Sequence, residues 1–528
     1  METNDQPLEY PRLLQTAKRC AIFFVSVGIF FASCQKKPEL ALPANPLFIL
    51  KASENSLFLD ADVHFHSYAS GVRIARIPFD CRAERFMLSV NLPTDARLMM
   101  HGAEFDEGTL ALAVNEATEI VVITSDGAAT PYRIHLVPDT GLPVCWIETE
   151  DGKPVTSKED YKDAMMTIDP GTGYEQQQRE ISLGIRGRGN STWGMPKKPY
   201  RLRFNQKTEF LGFPATRNWV LLANYADKTL LRNYVAFELG RQMMSGFTPR
   251  NAFVEVYVNG EYQGVYHLTD QIRVEEVRVD IDELEETNED PALITGGYLL
   301  EIDERLDEEH WFMSGVLDFP ITFKSPEVPN AAQRDYITTY IREFEEIISS
   351  PDIASRGAEY EQYIDVPSFI DYYLISEIMK NNDTGIGTSI YLTKPRNGKL
   401  SMGPLWDFDI AAGNINYHGN EYPEGWWIRP INRWYAHLFR DKRFEDAVKS
   451  RWETIRPTVL ADIMEQIDAT AFGTLAKAQQ HNFERWPILN EWVWPNAVVL
   501  GTYEAEVEYL KTWLADRIAW MDAEIKQW

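Results

Sequence analysis

Cysteine, histidine and positive charge are all scarce in this chain. The four cysteines, at 20, 34, 81 and 145, include no Cys-x-x-Cys pair and no Cys/His cluster, which excludes a structural zinc site of the finger or ribbon kind. Of the nine histidines only His64 and His66 lie close together, in a strand-like stretch where a solvated face is the expected home. Against 79 Asp and Glu stand 52 Lys and Arg, a formal net charge of −27 at pH 7. Such a surface repels phosphate backbones, so no nucleic acid is expected as a partner. Long apolar runs are missing too: Ala21–Phe31 is roughly half of the ~20 residues a spanning helix needs.

What is present is a packable composition, 44% hydrophobic and 12% aromatic. At 528 residues the chain exceeds the size at which one core stops growing, about 250–300 residues, so two or more domains are expected. The run 21–31 follows Lys18-Arg19 and has the length of a signal-peptide h-region. It ends in Phe31-Ala32-Ser33-Cys34, and small residues before a Cys at that point resemble a bacterial lipobox. The expectation is a lipoprotein signal peptide over 1–33, lipidation of Cys34 and a proline-bearing tether over 34–46. The protein would sit in the cell envelope, touching membrane only through that anchor. Cys81 and Cys145 then remain, as one disulfide or as two thiols.

From 47 to 140, short alternating runs such as Val72-Arg73-Ile74-Ala75-Arg76-Ile77 and Tyr132-Arg133-Ile134-His135-Leu136 predict an all-β, Ig-like or cadherin-like sandwich. A boundary is expected at 139–143. Beyond it, 181–186 and 199–204 read as strands enclosing the glycine-rich, basic loop 187–198. Such a loop lays backbone N–H groups and cations against phosphates, although in a twisted hairpin the same Lys and Arg simply lie in water. A hairpin with an Asn259-Gly260 turn comes next, then strands near 297–303 and 321–324. After about residue 330 the periodicity turns helical: 331–349, 366–380 with Asp365 as cap, 433–448, 451–470 and 502–526. The fold class expected is α+β, a two-lobed body with a sheet-rich N-lobe (145–328), a helical C-lobe (329–528) and a cleft between.

The stretch with most chemistry is Gly403-Pro404-Leu405-Trp406-Asp407-Phe408-Asp409. Two acids sit at i and i+2 where a strand ends. The hairpin 390–402, with Asn397-Gly398 at its turn, returns the chain to Asn381-Asn382-Asp383-Thr384-Gly385, with glycines at 385 and 387 loosening the approach. Carboxylates brought together this way suit metal-assisted phosphoryl transfer, one orienting a hydroxyl and another holding Mg²⁺. Solvated turn residues and a loop cap are the plainer alternative.

Taken together, Arg188-Gly189-Asn190-Ser191, Pro196-Lys197-Lys198-Pro199-Tyr200-Arg201-Leu202, Leu222-Ala223-Asn224-Tyr225-Ala226-Asp227-Lys228, Leu231-Arg232-Asn233, Gly297-Tyr298-Leu299-Leu300-Glu301-Ile302-Asp303, Asn382-Asp383 and the Asp407 segment resemble the spore coat protein H (CotH) kinase family over roughly 145–528. The resemblance implies an atypical protein-kinase-like fold and transfer of the ATP γ-phosphoryl group to Ser or Thr of a protein acceptor, with Mg²⁺ or Mn²⁺. It implies Asp383 as the catalytic acid-base, Asp407 as a metal ligand with Asp409 as a second, and Arg188, Lys197 or Lys198 as the cation on the phosphates. Ordinary kinases carry Asn five residues after the catalytic Asp, whereas here Thr388 stands, followed by Ser389. Two other functions are compatible with the same residues. One is a weak or inactive CotH-like surface binding protein. The other is a glycoside hydrolase with Trp426-Trp427, Trp486, Trp492 and Trp494 as sugar platforms, although no carboxylate pair at a defined separation marks it.

Overall fold

The computed structural model describes residues 47–67, 71–105, 109–171, 173–174, 179–356 and 359–528. The expected signal peptide, Cys34 and the tether lie outside these residues.

Residues 47–139 form two sheets, of four and six strands, around one apolar core. Alternation puts Phe86, Leu88 and Leu112 of one sheet against Ile77, Val122 and Ile134 of the other. The closing strand Ala129–Asp139 pairs in parallel with Val72–Pro78. Arg76 on that strand reaches out of the module. It forms ion pairs with Asp169 at 2.7 Å and Asp139 at 3.2 Å and donates to the Leu142 carbonyl at 3.1 Å, fixing the joint between the sandwich and the neighbouring barrel.

In that barrel, seven strands between Val144 and Asp270 close on themselves, the first (Val144–Thr149) pairing in parallel with Asn251–Val258. Closure leaves no edge to protect and buries Trp219, Phe204, Phe210 and Cys145 inside. Cys81 and Cys145 are free thiols, and burial raises the pKa of Cys145. The Asn259-Gly260 turn takes φ +51° and +86°, as a two-residue hairpin of this type requires.

A five-stranded sheet joins Tyr298–Ile302, Trp311–Met313 and Pro320–Ser325 to Ile390–Lys394 and Ser401–Met402. The division placed at 328 therefore does not coincide with a break in the sheet. Strands before and after it pair directly: Leu300 lies between Phe323 on one side and Leu392 on the other. Against this sheet packs Val366–Ile378, buried along its whole length from Ser368 and capped by Asp365, whose carboxylate accepts from the Ser368 N–H at 3.1 Å. The stretch 433–470 forms three helices rather than two, Arg433–Leu438, Lys442–Ile455 and Val459–Ala469. Asp441 starts a new cap and Pro457 interrupts the last pair. The helix Ala478–Arg485, too polar and short to register by periodicity, packs on the barrel. Among the described residues no helix is long and apolar enough to cross a membrane.

Candidate active site

The helix Val366–Ile378 ends just before the segment that carries Asp383. Asn381 caps the single-turn helix Asn382–Ile386 by accepting from the Asp383 N–H at 2.9 Å, and its amide donates to the Asp407 carbonyl at 3.3 Å. One side chain thus ties the Asp383 loop to the Asp407 loop. Asn382 donates to Asp383 Oδ1 at 3.2 Å, and its own oxygen lies 2.8 Å from His418 Nδ1. Gly385 does not loosen this loop. A Cβ there would lie 2.2 Å from the Trp427 indole nitrogen, so glycine is required because the ring is in contact. Gly387, at φ +84°, turns the chain into the strand Ile390–Lys394.

Asp407 and Ser389 face each other in left-handed backbone, φ +65° and +55°, and Ser389 Oγ donates to Asp407 Oδ2 at 3.4 Å. Strain of this kind, about 1–3 kcal/mol per residue, persists where the surroundings over-determine it. Those surroundings are polar and largely buried. Asn233 accepts from the Phe408 N–H at 2.8 Å, and Arg232, paired with Asp227 at 2.6 Å, donates to the Ala411 carbonyl at 3.0 Å. The motif 222–233 therefore serves to hold the Asp407 segment.

Asp383, Asp407 and Asp409 line one cleft of about 260 Å³. Burial, and then the charge of Asp407, pushes the Asp383 carboxyl up to about 7. Burial together with Asp407 and Asp383 raises Asp409 well above the ordinary carboxylate range. The same cleft also carries three cations, set among the acids Glu301, Asp303, Asp307 and Glu308. Arg188 lies over the Trp406 ring at 5.5 Å; Lys324 pairs with Glu308 at 2.8 Å and Glu301 at 3.3 Å; Arg305 bonds Asp303 at 2.8 Å and the Ser389 hydroxyl at 2.9 Å. Burial works against the charges of Lys324 and Arg305, but the acids around them outweigh it and hold both pKa values above normal. An adjoining recess of about 400 Å³ shares Arg188, Lys324, Tyr391 and Trp406 with the cleft. A larger cavity of about 600 Å³ lies at the joint of sandwich and barrel, but none of Asp383, Asp407 and Asp409 lines it.

The chain matches the family model described as CotH kinase protein over residues 185–521, well over half its length. It belongs to the CotH kinase family. Among curated proteins none matches. Membership carries a kinase-like function and, in general terms, use of ATP and a divalent metal.

Of the residues expected from the CotH resemblance, the fold brings Asp383, Asp407, Asp409 and Arg188 together. Lys197 is elsewhere. It is 1% exposed, its ammonium donates to the Val265 carbonyl and to Asn482 Oδ1 at 2.9 Å, and desolvation drives its pKa well down. Lys198 donates to the Trp193 carbonyl at 2.8 Å, closing the loop on itself. Ser389 is marked in the sequence only as a hydroxyl following Thr388, whereas Lys324 and Arg305 do not stand out there as site residues. The one signal they offer is a charge inside an otherwise apolar strand, Glu301 in one and Lys324 in its neighbour.

The donor set fits a hard divalent ion. Three carboxylates share a small space where two resist ionisation, and a cation between them would let all ionise. Among the described residues no three Asp, Glu, His or Cys side chains form a ready-made metal cage, which is compatible with Mg²⁺ held by one or two carboxylates and substrate phosphates.

Proposed function

We propose that this CotH-family chain transfers the γ-phosphoryl group of ATP to Ser or Thr hydroxyls of a protein acceptor, anchored to the cell envelope through Cys34. The observation that carries the reading is the placement of Asp383, Asp407 and Asp409 in one cleft with Arg188, Lys324 and Arg305. On this reading the three cations bind the phosphates, with the base toward the recess walled by Tyr391 and Trp406. Asp407 and Asp409 would hold the metal, whose charge would neutralise that developing between the β- and γ-phosphates. Asn382 fixes one oxygen of Asp383, and the other receives the proton of the acceptor hydroxyl. That hydroxyl oxygen attacks the γ-phosphorus, the bond from phosphorus to the β-bridging oxygen breaks, and ADP leaves with the electron pair. Ser389, next to the Thr388 that stands where ordinary kinases carry Asn, donates its hydroxyl to Asp407.

The test is incubation of the purified full chain with γ-labelled ATP and Mg²⁺ or Mn²⁺, beside Asp383→Asn. Label on the wild-type protein or an added acceptor, reduced by at least a hundredfold in the variant, supports the assignment. Equal labelling by both removes Asp383 from the chemistry. No label and no nucleotide-induced thermal shift would instead leave a CotH-like binding protein.

A further inference from the structure

The cleft has two unlike ends. Arg188, Lys324, Tyr391 and Trp406 are shared with the adjoining recess, whereas Asp383, Ile410 and Trp494 line the cleft alone. If the nucleotide occupies the shared, basic end, the acceptor hydroxyl must come in past the other. There Trp494 is 44% exposed, a large apolar ring standing at the mouth of a polar cleft.

Its loop is not loose. Lys228 donates to the Glu491 carbonyl at 2.7 Å, Asn496 donates to the Ala226 carbonyl at 2.7 Å and to Asn414 Oδ1 at 2.8 Å, and the Trp492 indole donates to the Asn496 carbonyl at 2.9 Å. The Tyr417 ring lies 6.5 Å from that of Trp494 with 21° between planes. A fixed, exposed indole beside the catalytic carboxylate is a preformed surface for a flat apolar group.

We propose that Trp494, with Tyr417 stacked on it and Ile410 beside it, forms an acceptor subsite for an aromatic or proline side chain flanking the Ser or Thr that is phosphorylated. A sugar ring would also lie on an indole, but it calls for free amide N–H donors around its hydroxyls. The amides here are committed internally: Asn414 donates to the Ala226 and Asp409 carbonyls, Asn496 to Ala226 and Asn414, and Asn420 to Asn382. An apolar peptide side chain makes no such demand.

The proposal rests on the kinase reading, and a peptide array separates the two. Peptides with one Ser and every residue type at the flanking positions are incubated with the full chain and γ-labelled ATP, and bound protein and transferred label are read separately. The wild type is expected to bind and label peptides with an aromatic residue or proline beside the Ser. Trp494→Ala should lose that selection and raise KM for the best peptide at least tenfold, with KM for ATP within twofold of wild type, while Trp494→Phe retains the selection. A melting temperature for Trp494→Ala equal to wild type excludes unfolding as the cause. Selection unchanged in Trp494→Ala, or labelling of oligosaccharides in preference to peptides, overturns the subsite. Selective, Trp494-dependent binding without label keeps the subsite and removes the kinase; label without selection does the reverse; neither signal removes both.

Discussion

Asp407 and Lys197 show at the scale of single residues what a sequence exposes and what it hides. An acid following a Pro and a Trp at a strand end is conspicuous, and Asp407 does line the cleft. Asp407→Asn removes charge without volume. Nucleotide binding in the presence of Mg²⁺ should weaken at least tenfold by calorimetry, with a melting temperature equal to or above wild type, because repulsion toward Asp383 and Asp409 is relieved. Unchanged affinity would reject the metal role. Lys197 and Arg188 lie in the same basic loop, but only one reaches the cleft. Arg188→Ala should raise KM for ATP about tenfold to a hundredfold, the value of a charge-assisted hydrogen bond of about 1.5–3 kcal/mol, and leave stability alone. Lys197→Ala should do the opposite, costing about 1–3 kcal/mol in urea unfolding by orphaning the Val265 carbonyl and Asn482, with KM for ATP unchanged. A rise in KM for the Lys197 variant would return it to the site. Composition alone does not separate these cations, since burial belongs to the tertiary structure.

At the scale of elements, hairpins and capped helices are the legible parts. Asn-Gly turns at 259–260 and 397–398 mark two hairpins that the fold contains, and Asp365 caps the helix it is expected to cap. These are local effects, decided within a few residues by φ requirements and orphan N–H groups. The role of Gly385 is not local, because the indole against it comes from 42 positions downstream, at Trp427. Gly385→Ala should therefore destabilise the protein by about 1–3 kcal/mol in urea unfolding and reduce phosphoryl transfer more than tenfold, since Trp427 can move only by displacing the Asp383 loop. Wild-type activity in that variant would show that the loop tolerates the shift. Helix Ala478–Arg485 escapes the periodicity for a related reason. His481 and Asn482 face the barrel through hydrogen bonds rather than apolar spacing, to Glu255 at 2.7 Å and to the Val265 N–H at 3.0 Å.

Across the whole molecule, two buried histidines set an acid limit. His135, against Trp146 at the joint of sandwich and barrel, and His267, inside the kinase body, both have pKa values pushed down to about 3 by desolvation. Unfolded, each titrates near 6.5, so the unfolded state binds more protons as pH falls from about 6.5 toward 3 and stability is lost over that window. The loss is about 2 kcal/mol per histidine between pH 7 and pH 5. Unfolding free energies from urea melts at the two pH values should differ less for His135→Phe than for wild type by about that amount, and equal differences would show that His135 ionises in the folded protein. Texture already pointed to an all-β start and a helical end, because periodicity is a property of the sequence. The acids at 383, 407 and 409 were visible for the same reason, as charges where local pattern has no need of them. The cations beside them were not: Lys324 and Arg305 reach the cleft because strands on either side of residue 328 share one sheet. Pairing between segments about 90 residues apart is decided by long-range burial, to which no local stretch of sequence is a guide.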